Sequence, residues 1–442
     1  MRNINTKDNA IYLPAVNDSF AKGVLDEVKS GRPFPDDLSP SDLIFWNEGN
    51  KLFHYPYILH SAGLHTVGSW VDNAVTRADK SKVMILADSG GFQVGTGKLK
   101  GIKNLRPNMP ATEAVSVWES AHHVRQWVLS WQESFATHAM TLDMPLGITQ
   151  SVTGESPFAR CSIEQLTAMT VDNLQYIDVY RQGNTRWINV VQGVHIAEIE
   201  YWWNAVKGYK FEGWSLAGGA GARGGLYQVL YTILMMRDGG AFEGGVDNLH
   251  ALGVSSLKWA VFLTAIQKAL RNQYPELLVT YDSSSPFQTA MVYEKVYQAP
   301  ELGVEPNSWK LSTKLCEQGF RYRGSQLLFP HKSSPLAEVM TLGDLNVKGG
   351  ETAKKHFDSL SLYMLTHHNV YVQLDAIQKA NEAAFGVARH EMTPKAYLDV
   401  IDVIGEAFEV DNWREFLLGH KALLDSVAPN AYVAETKVDE AA

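Results

Sequence analysis

The stretch Val83-Met84-Ile85-Leu86-Ala87-Asp88-Ser89-Gly90-Gly91-Phe92-Gln93 decides the fold that we expect for this chain. Its leading run of apolar residues predicts a strand buried on both faces, which is typical of parallel sheets. The run ends on a carboxylate followed by Ser-Gly-Gly, where the backbone can turn sharply or approach a ligand closely. Because α/β folds present catalytic groups at the carboxyl ends of their strands, Asp88 is a candidate catalytic residue. Taken alone, an Asp-Ser-Gly sequence more often caps a turn, so the interpretation depends on the rest of the chain.

Similar strand patterns recur along the chain, and several of them also end on a polar residue. Besides the Asp88 strand, the candidates cover residues 51–60, 139–145, 187–193, 213–221, 249–254 and 277–282. Helical patterns separate most of these strands, and the capping-box sequence Ser162-Ile163-Glu164-Gln165 opens one of them. Strands that alternate with helices predict a parallel sheet. With an eighth strand expected beyond residue 310, the count favours a closed (β/α)₈ TIM barrel of the α/β class over an open doubly wound sheet.

Less regular segments are expected on both sides of this barrel. Residues 1–50 are predicted to be an irregular N-terminal lead-in, residues 51–310 the main part of the barrel, and residues 311–350 a loop-rich insertion. Helical patterns at 352–385 (with a break or kink), 394–408 and 413–427 predict a C-terminal helical extension, residues 351–428, that completes the barrel and packs on it. The small and polar residues 429–442 predict a disordered tail.

Composition limits the classes of function. The chain has 442 residues and a formal charge of −9, which argues against a generally basic nucleic-acid coat protein but leaves a local basic groove open. Its two cysteines, Cys161 and Cys316, cannot form a disulfide framework or a Cys-rich zinc site. No apolar signal core and no 18-residue apolar run are found, so a cytoplasmic protein without a membrane partner is expected. No dinucleotide or phosphate-loop glycine motif is present in its required context.

On a barrel the strand ends converge on one face. The polar groups that we expect around one pocket are Asp88, Asp143, Gln192, Gly218, Gly219 and Asp282. Three carboxylates, an amide and backbone N–H groups would bind Mg²⁺ or Ca²⁺ but few other metals. They suit a flat heterocycle with many hydrogen-bonding groups, together with acid/base and covalent chemistry.

At these positions the sequence resembles the tRNA-guanine transglycosylases. The resemblance covers about residues 50–290 in the family's own order, with a weaker similarity at Leu365-Thr366-His367-His368-Asn369. It rests on Asp88-Ser89-Gly90-Gly91-Phe92-Gln93, Leu142-Asp143, Val190-Val191-Gln192-Gly193, Leu216-Ala217-Gly218-Gly219, Leu252-Gly253-Val254 and Tyr281-Asp282. The first string is fairly specific, and the shared order of the others at strand ends adds to it.

The resemblance implies a (β/α)₈ barrel and a reaction that exchanges guanine in a nucleic acid for a 7-deazaguanine base. It implies that Asp282 is the nucleophile that attacks the sugar C1′ and that Asp88 is the general acid/base. Asp143 would accept hydrogen bonds from the guanine N1–H and 2-amino group. Two displacements would retain the configuration at C1′, as in retaining glycosidases. The target nucleotide must leave its stack, so a flipped base is expected.

The same resemblance implies further substrate-binding residues. Gln192 and the backbone of Gly218 and Gly219 would address the O6 side of guanine. Ser89, Gly90 and Phe92 complete the substrate-binding set. Phe92 would cover one face of the base, with an ordinary core position as the alternative.

The chain departs from the family pattern at the zinc subdomain, where the family has Cys-x-Cys-x-x-Cys and a distant His. Here only Cys316 remains, with His368 resembling the motif's histidine, and two ligands cannot complete a tetrahedral site. We therefore expect no metal and no cofactor. No appended RNA-binding domain is recognisable either.

These absences favour the branch of DNA 7-deazaguanine transglycosylases of phages and bacteria, in a bacterial or phage-infected host cytoplasm. The expected partners are DNA in preference to tRNA and a 7-deazaguanine base; a homodimer is left open. The basic residues expected to contact phosphates are Lys98, Lys100, Arg223, Arg321 and Arg323.

Three alternatives stay open from the sequence. The first is a transglycosylase that acts on tRNA. The second is a TIM-barrel hydrolase that uses Asp88 and Asp282 on a small sugar or nucleoside. The third is a binding subunit without catalysis, against which the presence of both carboxylates argues.

Overall fold

Eight parallel strands form the centre of the computed structural model, which describes residues 8–25, 32–65, 67–68, 72–149, 156–347 and 357–432. The strands are β1 Ile11–Pro14, β2 Tyr57–Ser61, β3 Met84–Asp88, β4 His138–Met140, β5 Arg186–Val191, β6 Gly213–Leu216, β7 Asn248–Ala251 and β8 Leu278–Ser283. Each strand from β2 to β7 pairs with the next, and β8 pairs with β1. A parallel bridge between Ala15 and Leu59 joins β1 to β2 and closes the sheet. The predicted (β/α)₈ barrel is confirmed.

Helices connect the strands and extend beyond the last one. Up to the end of the barrel they are α1 Asp18–Gly23, α2 Gly91–Gly95, α3 Ala111–Ser120, α4 His122–Phe135, α5 Leu146–Thr149, α6 Ile163–Tyr180, α7 Ile196–Val206, α8 Gly225–Asp238, α9 Leu257–Arg271 and α10 Ser285–Met291. The antiparallel hairpin of β9 Lys295–Gln298 and β10 Ser312–Leu315 follows. The C-terminal helices are α11 Pro335–Val339, α12 Leu342–Leu345, α13 Ser359–Phe385, α14 Arg389–Met392, α15 Lys395–Ala407 and α16 Trp413–Val427. The predicted capping box is present at the start of α6.

Side-chain alternation along the strands decides which residues reach the site. A separate apolar cluster of strand residues fills the barrel interior: Ile11, Leu13, Leu59, Leu86, Met140, Ile188 and Val190. Because successive side chains of a strand point to opposite faces, Asp88 lies on the inner side with Leu86, and Ser61 lies there with Leu59. Ser61 and Asp88 are also register partners, so the two side chains are neighbours at the strand ends.

The first barrel strand lies in the segment that we predicted to be an irregular lead-in. The expectation of an eighth strand beyond residue 310 is therefore wrong, and so is the description of residues 1–50. Strand β1 has four residues, all of them buried, and Pro14 ends it. So short a run carries almost no periodic signal. Its place is fixed by distant contacts instead, because Tyr12 pairs with Tyr281 and accepts, through its carbonyl, a hydrogen bond from the Tyr55 hydroxyl.

The C-terminal part also differs from expectation in detail. Helices α13, α15 and α16 pack on α8, α9 and α10, but they add no strand and so do not complete the barrel. Helix α13 is continuous over 27 residues, where a break or kink was expected, and Asp358 caps it. The described part of the predicted insertion, up to residue 347, contains β10 and two short helices. Within the described residues, no helix combines the length and apolar character needed to cross a membrane.

Candidate active site at the barrel mouth

The three carboxylates predicted from the sequence meet at the mouth of the barrel. Asp88 is the last residue of β3, Asp143 follows β4, and Asp282 is the next-to-last residue of β8. Asp88 lies within electrostatic range of both Asp282 and Asp143. Asp143 and Asp282 are buried, and Asp88 is half-buried. The mouth therefore holds three acidic groups in a desolvated space, which is typical of catalytic sites.

Asp88 ends β3 beside a close contact between two glycines, Gly63 and Gly90, on neighbouring loops. Gly90 adopts a φ of 94°, and a Cβ at Gly63 would lie 2.7 Å from the Gly90 Cα, so the loops after β2 and β3 touch only because both residues lack side chains. Burial raises the pKa of Asp88, hydrogen bonds from the Ser61 side chain and the Gly90 backbone lower it, and the negative charge of Asp282 raises it. A carboxyl group that holds its proton at higher pH suits acid/base catalysis.

Asp143 is fixed by Gln192 at the end of β5. The Gln192 amide donates to Asp143 Oδ2 at 2.6 Å and to the Met144 carbonyl at 3.0 Å, while its oxygen accepts the Leu146 N–H at 2.7 Å. A Cβ at Gly91 would lie 2.9 Å from Asp143 Oδ1, so glycine is required beside this carboxyl group. Burial, followed by the charge of Asp88, raises the pKa of Asp143 to about 7. A small change in its surroundings therefore changes its protonation at neutral pH.

Within the described residues, the hydrogen-bond contacts that hold the Asp282 carboxylate fall on one oxygen, Oδ1. Oδ1 accepts the Gly253 N–H at 3.0 Å and lies 3.2 Å from His250 Nε2. The other ring nitrogen of His250 lies 2.9 Å from the Thr280 hydroxyl, which in turn contacts Asn248 Oδ1 at 3.1 Å. Because the Thr280 hydroxyl donates its one proton to Asn248 Oδ1, it accepts a hydrogen bond from His250 Nδ1–H, and the second ring nitrogen, Nε2, contacts Asp282. Both supports fall on Oδ1, so Oδ2 is the oxygen that the arrangement leaves for bond formation.

Sequence reasoning missed His250, although it named the strand that carries it. The side chain is fully buried in β7 and also lies within electrostatic range of Asp88. His250 stands two residues before Leu252, which packs against the barrel interior. Since every second side chain of a strand faces the same side, this spacing was the available signal that His250 points inward. The contact itself joins residues 32 positions apart, which no local pattern reveals.

Two of the predicted base contacts are already engaged within the protein. The Gly219 N–H donates to the Gly193 carbonyl at 2.7 Å, so the expectation that it addresses a ligand is wrong for this structure. A Cβ at Gly219 would lie 2.5 Å from that carbonyl oxygen, which explains the glycine by loop contact. The side-chain NH₂ and oxygen of Gln192 are likewise both hydrogen-bonded to the chain after β4. Gln192 therefore positions Asp143 and does not present a free donor.

The residues after Asp88 have two different environments. Ser89 is buried, and its hydroxyl has no hydrogen-bond partner in the part of the chain that the structure describes. Phe92 is 59% exposed in the short helix α2, so the alternative of a core phenylalanine is wrong. An exposed aromatic ring four residues after a catalytic candidate is available for contact with a ligand.

The basic residues divide into two groups. Lys98 and Lys100 are exposed after α2, on the loop that follows β3, and Arg223 is exposed on the loop that follows β6. Loops after strands lie at the same end of a barrel as the carboxylates. Arg321 and Arg323 are exposed in a 3₁₀ turn beyond β10, outside the barrel loops.

The chain after α16 lies over the mouth, where a disordered tail was predicted from residue 429. The Ala428 carbonyl accepts the Leu226 N–H at 3.0 Å. The Tyr432 hydroxyl lies 2.7 Å from the position of a Cβ on Gly147 and 3.7 Å from that on Gly218, so it sits between the loops after β4 and β6. The prediction is thus wrong for residues 429–432, and residues 433–442 lie outside the described residues.

The segment around Cys316 and His368 is held by hydrogen bonds. His368 lies 2.8 Å from the Ser334 hydroxyl and 3.3 Å from the Tyr297 carbonyl oxygen, so both of its ring nitrogens have partners. Cys316 is buried, and burial raises the pKa of its thiol. Among the described residues, neither side chain belongs to a cluster of metal-ligating groups.

No protein-family model matches the chain, and no curated protein matches it either. The three carboxylates at the mouth differ in their surroundings. Asp282 is held through Oδ1, and burial raises the pKa of Asp88. Burial also raises the pKa of Asp143, which lies beside Gly91.

Proposed function

We propose that the chain is a base-exchange transglycosylase that replaces guanine in DNA with a 7-deazaguanine, such as 7-cyano-7-deazaguanine. The proposal rests on one observation above the others: three carboxylates in three different environments converge at one barrel mouth. The sequence motifs that resemble the tRNA-guanine transglycosylases supply those same three residues.

In the first step, Asp282 Oδ2 attacks C1′ of the target nucleotide while the bond from C1′ to guanine N9 breaks. Asp88 donates a proton to the departing purine, and the product is a covalent glycosyl-aspartate. The fixed orientation of Asp282 by His250 and Gly253 supports this role, because a nucleophile must be held in line with the bond that breaks.

In the second step, the 7-deazaguanine occupies the place of guanine and gives its N9 proton to Asp88. Its N9 attacks C1′, and the bond to Asp282 breaks. Each step inverts C1′, so the overall reaction retains configuration. No water is needed at either step, which distinguishes exchange from hydrolysis.

Asp143 is the residue that we assign to base recognition. Guanine offers two neighbouring N–H donors on its N1 and 2-amino edge, and an ionised carboxylate accepts both. Because the pKa of Asp143 is about 7 in the ligand-free site, about half of the carboxyl groups carry a proton at pH 7, and base binding removes the proton from that fraction. The Gly218 N–H is the remaining donor that we assign to O6, because Gly219 and Gln192 are engaged.

DNA is favoured over tRNA because the segment around Cys316 and His368 provides hydrogen-bonded packing where the family has its zinc subdomain, and because no RNA-binding module is recognisable in the sequence. Lys98, Lys100 and Arg223 lie on loops at the mouth, where they would contact the phosphates of either nucleic acid, and Arg321 and Arg323 are further candidates for such contacts. We place the reaction in a bacterial or phage-infected host cytoplasm.

The test offers labelled guanine and labelled 7-cyano-7-deazaguanine to the protein with duplex DNA and tRNA side by side. The proposal predicts label in DNA, and none when Asp282→Asn replaces the wild type. Exchange into tRNA at an equal or higher rate would refute DNA as the substrate and keep the transglycosylase mechanism. Cleavage of nucleosides or glycosides without exchange would instead establish the hydrolase alternative.

A further inference from the structure

A second cluster of chemically active side chains lies on the outer wall of the barrel. His60 alternates with the inward-facing Leu59 and Ser61, so its ring points away from the barrel interior. It meets His65, which follows the 3₁₀ turn after β2, and Asp18 from the first turn of α1. The mechanism proposed above uses none of these three residues.

The geometry of this His-His-Asp cluster is that of a ligand set. The two Nε2 atoms of His60 and His65 lie 2.9 Å apart, and one donor atom from each of the three residues lies within 4.8 Å of the others. Both histidines are almost completely buried. Ligands at about 2.0–2.1 Å from a tetrahedral metal lie about 3.3 Å from each other, so small side-chain movements would suffice.

Two contacts orient the histidines. His60 Nδ1 lies 2.7 Å from the Val16 carbonyl oxygen and must donate to it, so Nε2 of the neutral ring carries a lone pair. The indole of Trp131 stacks on His65 with ring centroids 4.9 Å apart. A histidine that donates its other N–H to a backbone carbonyl is the usual arrangement around a bound metal.

Hydrogen bonding within the cluster leaves electron pairs unused. Asp18 Oδ1 and His65 Nδ1 are buried and have no hydrogen-bond partner among the described residues. If His65 donates its Nε2–H to His60, its Nδ1 is a buried acceptor without a donor, and so is Asp18 Oδ1. Leaving such buried groups unpaired destabilises the folded protein. Both rings are buried, which favours the neutral form that binds metals.

We propose that Asp18, His60 and His65 bind one divalent transition-metal ion, with zinc as the expected occupant and a water as fourth ligand. Two imidazoles and one carboxylate suit zinc and its first-row neighbours, whereas Mg²⁺ and Ca²⁺ prefer all-oxygen sites. The expectation of no metal rested on the cysteine motif and the carboxylates at the strand ends, and it did not consider Asp18, His60 and His65 together.

The ion would have a structural role and would take no part in the reaction. It would join α1, which follows β1, to the end of β2, and β1 to β2 is the junction that closes the barrel. The same strand end carries Ser61 on its inner face, and Ser61 supports Asp88. The inference does not depend on the proposed function, because metal binding and stability are measured without substrate.

Lys22 provides a sensitive test of charge. Its ammonium group lies 2.6 Å from Asp18 Oδ2 and is half-exposed. A positive charge beside the site opposes cation binding, so Lys22→Gln should bind the ion more tightly than the wild type. Lys22→Gln also removes the salt bridge to Asp18. Comparing it with Asp18→Asn therefore distinguishes the effect of losing that bridge from the effect of losing a ligand.

The experiment uses the full chain without a histidine tag, stripped with a chelator and titrated with Zn²⁺ against a chromophoric competitor. We expect one tight zinc per chain, a rise in Tm on adding zinc, and the visible spectrum of tetrahedral Co²⁺ after substitution. His65→Gln and Asp18→Asn should weaken zinc binding at least about 100-fold and about 10-fold, respectively. The control His123→Gln replaces an exposed histidine that contacts the Gly101 carbonyl, and it should change nothing.

Several results would overturn the inference. One is zinc binding by the wild type that is no tighter than zinc binding by Asp18→Asn. Because Asp18 is partly exposed, that variant should fold even if His65→Gln does not. Another is tight zinc that survives His65→Gln but disappears in Cys316→Ser. A third is occupancy by Mg²⁺ in preference to Zn²⁺.

Discussion

The barrel mouth and the segment after the barrel, residues 295–347, are stabilised in different ways. At the mouth, each carboxylate has support from a neighbouring strand: Ser61 for Asp88, Gln192 for Asp143 and His250 for Asp282. The later segment is attached largely through side chains of one helix, α13. Its buried Asn369 accepts the Tyr297 N–H at 2.8 Å and donates to the Lys295 carbonyl at 3.1 Å.

The difference shows how a closed sheet pre-organises chemistry. Register fixes neighbouring strand ends relative to one another, so a side chain on one strand can hold a reactive group on the next. The later segment has no such frame, and its position depends on a few buried polar contacts. Substitutions at the mouth should therefore affect reaction more than folding, whereas substitutions at the α13 contacts should do the reverse.

The largest effect is expected for Asp282→Asn. Loss of the nucleophile should reduce base exchange at least about 10⁴-fold, since covalent catalysis cannot proceed through the amide. The matched control is Asp247→Asn, at the opposite end of the barrel, where Asp247 pairs with Arg186 at 2.6 Å. That variant should lose stability and keep its kcat. Release of labelled guanine measures the exchange rate of both variants. More than about 1% residual exchange in Asp282→Asn would show that Asp282 is not the nucleophile.

For the later segment, Asn369→Ala should be the most damaging change. It leaves one buried N–H and two carbonyl groups without their partner, at about 1–3 kcal/mol for each group. We expect a loss of about 3 kcal/mol or more in the free energy of unfolding, measured by urea denaturation. Asn381→Ala on the same helix is the control, because among the described residues that side chain donates to the Ile377 carbonyl of its own helix and to no other element. Equal losses for the two variants would contradict the special role of Asn369.

Asp143→Asn should separate recognition from bond breaking. The new amide group presents a donor to the guanine edge, and a hydrogen bond to a charged group is worth about 1.5–3 kcal/mol. The KM for guanine should rise about 10- to 150-fold, with a smaller fall in kcat and weaker selection of guanine over adenine. Unchanged base affinity and selectivity would show that the base lies elsewhere.

The pH dependence of base binding follows from the same residue. The pKa of Asp143 is raised to about 7, and guanine needs its ionised form, so binding should strengthen as pH rises. Below pH 7 the affinity should change about tenfold per pH unit, and it should level off above the pKa. Asp143→Asn should abolish this dependence. A binding profile that is flat between pH 5.5 and 8 in the wild type would contradict the assignment.

The smallest effect concerns the basic loops. Each of Lys98→Ala, Lys100→Ala and Arg223→Ala should reduce the slope of log affinity for DNA against log salt by about one unit or less. Lys395→Ala is the control, because that lysine is exposed on α15 and pairs with Asp399. Equal slopes for the loop variants and the control would show that DNA passes over another surface.

The parts of the molecule that could be predicted are those with a local signal. Apolar runs that end on Asp88, Asp143 and Asp282 predicted both the barrel and its acidic mouth, because a buried strand and its terminal residue are adjacent in sequence. Strand β1 escaped prediction because four residues carry no period, and its partner Tyr281 is far away in the chain.

The remaining features depend on contacts between distant positions. His250 supports Asp282 across the sheet, Tyr432 returns to the mouth from the end of the described chain, and Asp18 meets His60 through the β1–β2 junction. No spacing in the sequence marks these pairs. Register explains the first of them only after the strand order is known.

The most direct test of the central claim is the chemical identity of the trapped intermediate. Wild-type protein is incubated with a guanine-containing DNA duplex without any acceptor base, quenched under denaturing conditions, digested and mapped by mass spectrometry. We predict a deoxyribosyl-linked adduct on the peptide that carries Asp282, and its disappearance when 7-cyano-7-deazaguanine is added before quenching. An adduct on Asp88 or Asp143, or exchange that proceeds while no adduct can be trapped on Asp282, would contradict the account.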